Sequence, residues 1–237
     1  MGTVGKDAGR LAGTIAAGLV AAGHRVAGLA GPPGGGKTTL ATGVAGAVRR
    51  IDSAARPLVV SLDDFYLPRA ERDARGIRFR AQPGSHDLDA ARTLLDAVRA
   101  GASRLTVPRF DHATDDQRSP DTMAGPAGPL LLEGLFVGLD AHGYEEIATR
   151  LDVLLYLDCP TTLARQRRFG REAGLRDASG GVQGFSEADM EAFWRDVLEP
   201  GITRWVRPIR ARADLVITLD DAGRVAHVEA RPGGRWR

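Results

Sequence analysis

Short apolar runs alternate with helix-length amphipathic stretches along the chain. The runs are Arg25–Ala30, Leu58–Leu62, Pro129–Leu132, Asp152–Leu157 and Leu215–Leu219. This alternation predicts an α/β fold, with a doubly wound, five-stranded parallel sheet covered by helices on both faces. The expected helices are Asp7–Ala22, Thr38–Arg50, Leu88–Ala100, Thr161–Glu172, Ser186–Leu198 and Gly201–Arg212. Thr161 and Ser186 are candidate N-caps, and Ser186 with Asp189 resembles a capping box. Pro200 marks a break between two helices. A further short run, Leu105–Val107, is a candidate extra strand.

Two stretches fit neither pattern. Residues 67–87 are rich in Arg, Pro and Gly, and residues 111–128 in Asp, Thr and Pro. Long irregular segments in a compact domain are more often functional than filler. Both follow strands, and ligands bind at the C-terminal edge of a parallel sheet. They are therefore expected to be acceptor-side loops of a single domain spanning residues 1–237, with a loose tail at 231–237. The alanine-rich stretch Leu11–Ala22 reads as an amphipathic first helix rather than a secretory signal, because glycines interrupt it and a strand follows directly.

The chemistry starts at Gly31-Pro-Pro-Gly34-Gly35-Gly36-Lys37-Thr38, which fits G-x-x-x-x-G-K-[ST]. Glycines let backbone N–H groups converge on phosphate oxygens, and the helix beginning at Thr38 and Thr39 aims its N-terminus at the anion. Lys37 can reach the β- and γ-phosphates, and the Thr38 hydroxyl can hold Mg²⁺. The strand before the loop and the helix after it supply the context that this motif requires. ATP and Mg²⁺ are the expected cofactors.

Further along, Ser61-Leu-Asp63-Asp64-Phe-Tyr66 follows a strand and sets two carboxylates at the sheet edge. Phosphoryl transfer needs a group that orients the attacking hydroxyl and accepts its proton. Asp63 is the chosen base and a candidate metal group; Asp64 is an alternative base, metal-side group or cap. Leu130-Leu-Leu-Glu133-Gly134 is a strand ending in a carboxylate, the arrangement that holds Mg²⁺ beside a P-loop. Arg165, Arg167, Arg168 and Arg171 lie on one expected helix, and Arg168 and Arg167 each share a face with Arg171. Arg167, Arg168 and Arg171 are candidates for an arginine-bearing lid, about residues 161–185, that neutralises charge on the transferring group. Its glycines at 174–184 suit a hinge. In the irregular stretches, Tyr66, His86, Asp87, Arg109, Asp111 and Arg118 are candidate acceptor contacts. Arginine is named because guanidinium meets carboxylate in two parallel hydrogen bonds. Asp87 is equally placed to cap the helix from Leu88.

Composition narrows the partners. A net charge of +2 gives no argument for nucleic acid, and no apolar run is long enough to span a membrane. The single cysteine, Cys159, excludes a disulfide framework and fits a reducing, cytoplasmic setting. The implied partner is a small, anionic molecule with a hydroxyl group.

Taken in order, the P-loop, Asp63-Asp64-Phe65-Tyr66, Pro83–Asp87, Pro108–Asp111 and Glu133-Gly134 resemble the phosphoribulokinase/uridine kinase class of P-loop kinases. Within it they are most similar to D-glycerate 3-kinase-like proteins, through Ser61–Leu67, Pro83–Asp87, Pro108–Arg118 and Glu133-Gly134. The resemblance runs from about Val26 to Thr218. It implies a 2-3-1-4-5 strand order and transfer of the ATP γ-phosphoryl group to a metabolite hydroxyl, with D-glycerate leading. Three departures fall on the acceptor side: His112 for the usual Lys, Gln117 inserted before Arg118, and Leu135 for Trp. Phe110 and Asp115 differ from the nucleoside-contacting Tyr and His of uridine kinases. Nucleoside, pantothenate and secondary-metabolite kinases stay open as alternatives, as does an ATPase switch without an acceptor.

Overall fold

The computed structural model describes residues 3–181 and 183–236. In chain order the strands are β1 (Val26–Ala30), β2 (Leu58–Ser61), β3 (Arg104–Asp111), β4 (Asp116–Ala124), β5 (Leu130–Gly134), β6 (Val153–Asp158), β7 (Leu215–Leu219) and β8 (Val225–Ala230). The helices are α1 (Thr3–Ala21), α2 (Lys37–Ile51), α3 (Arg69–Ala74), α4 (Leu88–Arg99), α5 (Glu145–Ala148), α6 (Thr161–Ala178) and α7 (Glu187–Phe193). After α7 the chain continues through π turns at Trp194–Leu198 and Ile202–Val206 and a 3₁₀ turn at Arg207–Arg212.

The main sheet has the order β2-β5-β1-β6-β7-β8. The five expected strands are parallel and follow the expected order. Every residue of β1 and of β5 is buried, as a sheet covered on both sides requires. The two-residue alternation of strands divides the core. Ala27, Leu29, Leu131, Leu155 and Ile217 meet α1, α2, α6 and the π turns on one face. Val26, Ala30, Leu130, Leu132, Leu154 and Val216 meet α4, Phe136 and Tyr144 on the other. Gly28 of β1 lets Leu151 and Val137 approach so closely that a Cβ would lie within 3 Å of each.

Several expectations are corrected. β8 was not foreseen: it is an exposed edge strand that pairs antiparallel with β7 and carries almost no apolar burial signal. Residues 111–128 are not irregular throughout, since half of them form β4, which pairs with β3 in a separate two-stranded ribbon. Its polar, exposed sequence hides it, and the register shifts between Val107 and Arg109, where Pro108 cannot donate to the ladder. Residues 67–87 contain one short helix, α3. Pro160, not Thr161, stands at the N-cap of α6, whereas Ser186 caps α7 by accepting from Asp189 N at 3.1 Å. The tail is not loose over its described residues. Arg235 bonds the buried Asp214 carboxylate and the Leu151 carbonyl, and Trp236 packs on Gly18 of α1. Arg237 lies outside the described residues.

Candidate active site

The loop between β1 and α2 is shaped by backbone that only glycine adopts freely. Gly34 has φ 74°, and a Cβ there would stand 2.4 Å from the Ala164 carbonyl of α6. Gly36, at φ 99°, turns the chain into α2, whose first N–H groups stay unbonded for an anion. Lys37 opens that helix, 8% exposed, with Nζ donating to Pro32 O at 3.0 Å. Burial pulls its pKa below the usual lysine range, against the opposing charges of Glu133 and Asp63. Thr38 Oγ1 donates to Glu133 Oε1 at 2.8 Å, and Thr39 lies exposed on the same turn.

Glu133 ends β5, in register with Leu29 of β1 and Ser61 of β2, and is 5% exposed. Burial raises its pKa; Lys37 draws it down and Asp63 pushes it up. Asp63 sits in the 3₁₀ turn Leu62–Phe65 after β2, where its N–H is capped by Ser61 Oγ at 3.3 Å. Its charge acts on Lys37, Glu133, Tyr66, His86, His112 and Arg168.

The neighbouring carboxylate has a different fate. Asp64 Oδ2 accepts from Arg109 Nη1 at 2.7 Å, and Arg109 Nε donates to Asp121 at 2.7 Å. This triad ties the β3–β4 ribbon to the turn that carries Asp63. Asp64 is thus a tether, while the charge of Asp63 acts on Lys37 and Glu133. Arg109 spends Nε–H and one Nη1–H on two carboxylates, and its other three N–H groups are used by neither of them. Arg118 lies opposite it on β4, half-exposed and 3.5 Å from Asp121. Asp111 Oδ1 accepts from Ala113 N at 2.8 Å and shapes the ribbon's tip. These turn bonds, Ala113 first, hold its carboxyl below the usual range.

Tyr66 and His86 lie behind the site rather than at its surface. Their rings stack at 4.3 Å, and His86 is 4% exposed. His86 Nδ1 shares a 2.6 Å hydrogen bond with the Tyr144 hydroxyl. Burial drives the His86 pKa down to about 4, so the ring is neutral near pH 7; burial and Asp63 push the Tyr66 phenol well up. Asp87 Oδ1 accepts from Ala90 N at 2.9 Å, the N-cap of α4. A cap of this kind contributes about 1 kcal/mol.

The lid arginines make separate contacts. Arg167 leans on the P-loop, with Nη1 3.4 Å from Gly35 O, and presses against Gly223 in the β7–β8 turn. Arg168 pairs with Glu172 at 2.8 Å. Arg171 is exposed, and its charge is felt by Lys37, His112 and Arg168. Arg165 pairs with Glu191.

Two groups escaped the sequence reading as site residues. Arg80 Nη1 lies 3.0 Å from His112 Nδ1 and 3.2 Å from Asp115 Oδ1, with its guanidinium over Phe110 and Tyr66. Burial, then Arg80, lowers the His112 pKa. The signal for His112 was its place at the end of Pro108–His112; nothing in the sequence distinguished Arg80 among the arginines of 67–87. A cleft of about 320 Å³ between residues 81–83 and the π turns, lined by His142, Arg204 and Trp205, shares no residue with the P-loop, Asp63 or Glu133.

A phosphate cradle, a buried lysine, a hydroxyl–carboxylate pair and a facing carboxylate on one parallel sheet edge define a P-loop phosphotransferase. The chain matches the model of the Phosphoribulokinase / Uridine kinase family over residues 26–225, and it belongs to that family. It is 31% identical to a pantothenate kinase of Leifsonia xyli subsp. xyli, covering 87% of this chain and 69% of that one. A pantothenate kinase of Streptomyces coelicolor is 28% identical over the same shares. In fold it is similar to the D-glycerate 3-kinase of Cryptococcus neoformans var. grubii, with a TM-score of 0.75 at 14% identity, covering 93% of this chain and 99% of that one. The chain is an ATP-dependent kinase that phosphorylates a hydroxyl group of a small molecule. No described helix is long and apolar enough to cross a membrane.

Proposed function

We propose that the acceptor is pantothenate or a close analogue, phosphorylated on its primary hydroxyl. The observation that carries this is the identity with the pantothenate kinases above, which spans both the nucleotide side and the ribbon. The expectation of D-glycerate rests on short motifs, and its structural likeness at 14% identity speaks to fold alone. The chemistry around Asp63 supports the change. Phe110, Tyr66 and His112 cluster edge to edge beside Asp63, and Arg80 lies over the rings. Pantothenate carries a branched apolar group and a carboxylate that suit rings and a cation; three-carbon glycerate has no apolar part to set against them.

In this reading Lys37 and the N–H groups of residues 34–38 hold the ATP phosphates. Thr38, Glu133 and Asp63 offer hard oxygen ligands, the set Mg²⁺ takes when substrate phosphates complete its shell. Among the described residues no three His, Cys, Asp or Glu side chains cluster as a metal cage, so phosphate would have to share the ion. Mg²⁺ would neutralise charge on the β- and γ-phosphates. Asp63 accepts the proton of the attacking hydroxyl, and Arg168 and Arg171 stand by the transferring group. The test is ADP formation from ATP and Mg²⁺ with pantothenate, D-glycerate or uridine added. Pantothenate should raise the rate; a rate raised only by D-glycerate or uridine overturns the reading.

A further inference from the structure

Glu172 is charged, 5% exposed, and outside every role assigned so far. It lies one turn after Arg168 on α6, and its two oxygens are divided. Oε1 accepts from Arg168 Nη2 at 2.8 Å, while Oε2 accepts from Phe185 N at 3.1 Å. Phe185 belongs to the segment that returns from the end of α6. That return is fixed again by Arg176 Nη1 donating to Phe185 O at 2.8 Å. Gly184, at φ 84°, allows the close pass: a Cβ would stand 2.7 Å from Glu172 O. The Phe185 ring stacks on Phe193 at 5.1 Å, and Phe193 meets Phe79 of the acceptor-side segment at 5.3 Å.

The helix that carries the pair packs against the site. The backbone of Ala164 and Arg168 packs against Gly34 of the P-loop. The Arg168 side chain is mostly buried, and Arg171, Asp63 and Arg80 are its charged neighbours besides Glu172. A guanidinium placed among cations and a carboxylate needs a fixed anchor to keep one orientation, because repulsion from Arg171 and Arg80 would otherwise turn it outward. Breaking a buried pair by removing one partner is costly because the remaining charge is left uncompensated.

We propose that Glu172 is a positioning residue for phosphoryl transfer: it holds Arg168 toward the transferring group and locks that orientation to the return of the lid at Phe185. It acts through Arg168 and touches no substrate. The inference rests on the reading that Arg168 serves the transferring phosphoryl group.

The experiment compares wild type, Glu172→Gln, Arg168→Gln and the double variant. Affinity is measured for MgADP alone and for MgADP with aluminium fluoride, a planar mimic of the transferring group, so the readout does not depend on the acceptor. Glu172→Gln should leave MgADP affinity within about twofold and lose roughly tenfold of the affinity gained from aluminium fluoride, the scale of one charge-assisted hydrogen bond. Arg168→Gln should lose as much, and the double variant no more than either. Glu172→Asp should recover part of the loss. If Arg168→Gln keeps the gain, the assignment of Arg168 fails and the inference falls with it. If Arg168→Gln loses it and Glu172→Gln does not, the positioning role alone is overturned. Equal loss of MgADP and aluminium fluoride affinity, additive in the double variant, marks a purely structural residue and also overturns it.

Discussion

At the nucleotide end, Lys37 and Thr38 open α2, and Glu133 lies on β5, a strand buried throughout between β2 and β1. At the acceptor end, Arg109, Asp111, His112 and Arg118 hang from a two-stranded ribbon whose second strand is mostly exposed. The first end derives its geometry from core packing; the second adds ion pairs such as Asp64–Arg109–Asp121 to the packing of Leu105 and Val107 in the core. A sheet core tolerates little change, so its chemistry stays close to the motif. The exposed positions of β4 can change with little cost to the fold. Asp63 sits at the joint between the two.

Breaking the joint should give the largest effect. Asp63→Asn should lower kcat by about 10²–10⁴, the range for loss of a general base, with ATP affinity held in equilibrium binding. Near-normal turnover would move the base elsewhere, with Asp64 next in line.

Cutting the ribbon's tether should separate the two ends. Arg109→Ala leaves Asp64 and Asp121 without their shared partner. The acceptor KM should rise roughly tenfold or more, the scale of a lost charge-assisted hydrogen bond, while the ATP KM stays within about twofold. A parallel rise in both constants in steady-state kinetics would show that the ends are not independent.

A last effect, read in stability rather than in turnover, concerns the buried pair His86 and Tyr66. His86 titrates at about 4 in the fold against an ordinary value of 6.5. The unfolded chain therefore takes up a proton first as pH falls. Stability from this group is complete above pH 6.5 and drains away toward pH 4, by about 3 kcal/mol in all. His86→Gln should flatten that slope in denaturant titrations at pH 7 and pH 4.5; an unchanged slope would contradict the buried neutral ring.

The difference between the ends also explains what could be read in advance. The strands and the P-loop were legible because buried parallel strands are apolar runs and phosphate binding uses a fixed glycine spacing; the strand order was legible only through the family resemblance. β8 and β4 were not, since strands with exposed faces carry no such pattern. Asp63 and Asp64 are adjacent and chemically alike, and only Arg109, 45 positions further on, separates their roles. The pairing of Arg80 with His112 spans 32 positions and leaves no local signal. Tyr66 and His86 are separate candidate acceptor contacts in the sequence, 20 positions apart, and only the fold shows that their rings stack on each other.

The central claim is that Asp63 and the P-loop together pass phosphate to a hydroxyl rather than to water. The direct measurement is product stoichiometry by ³¹P NMR after incubation with ATP, Mg²⁺ and pantothenate. The account predicts ADP and a phosphomonoester in equal amounts, with little inorganic phosphate. ADP matched by inorganic phosphate, at a rate indifferent to pantothenate, D-glycerate and uridine, would contradict it.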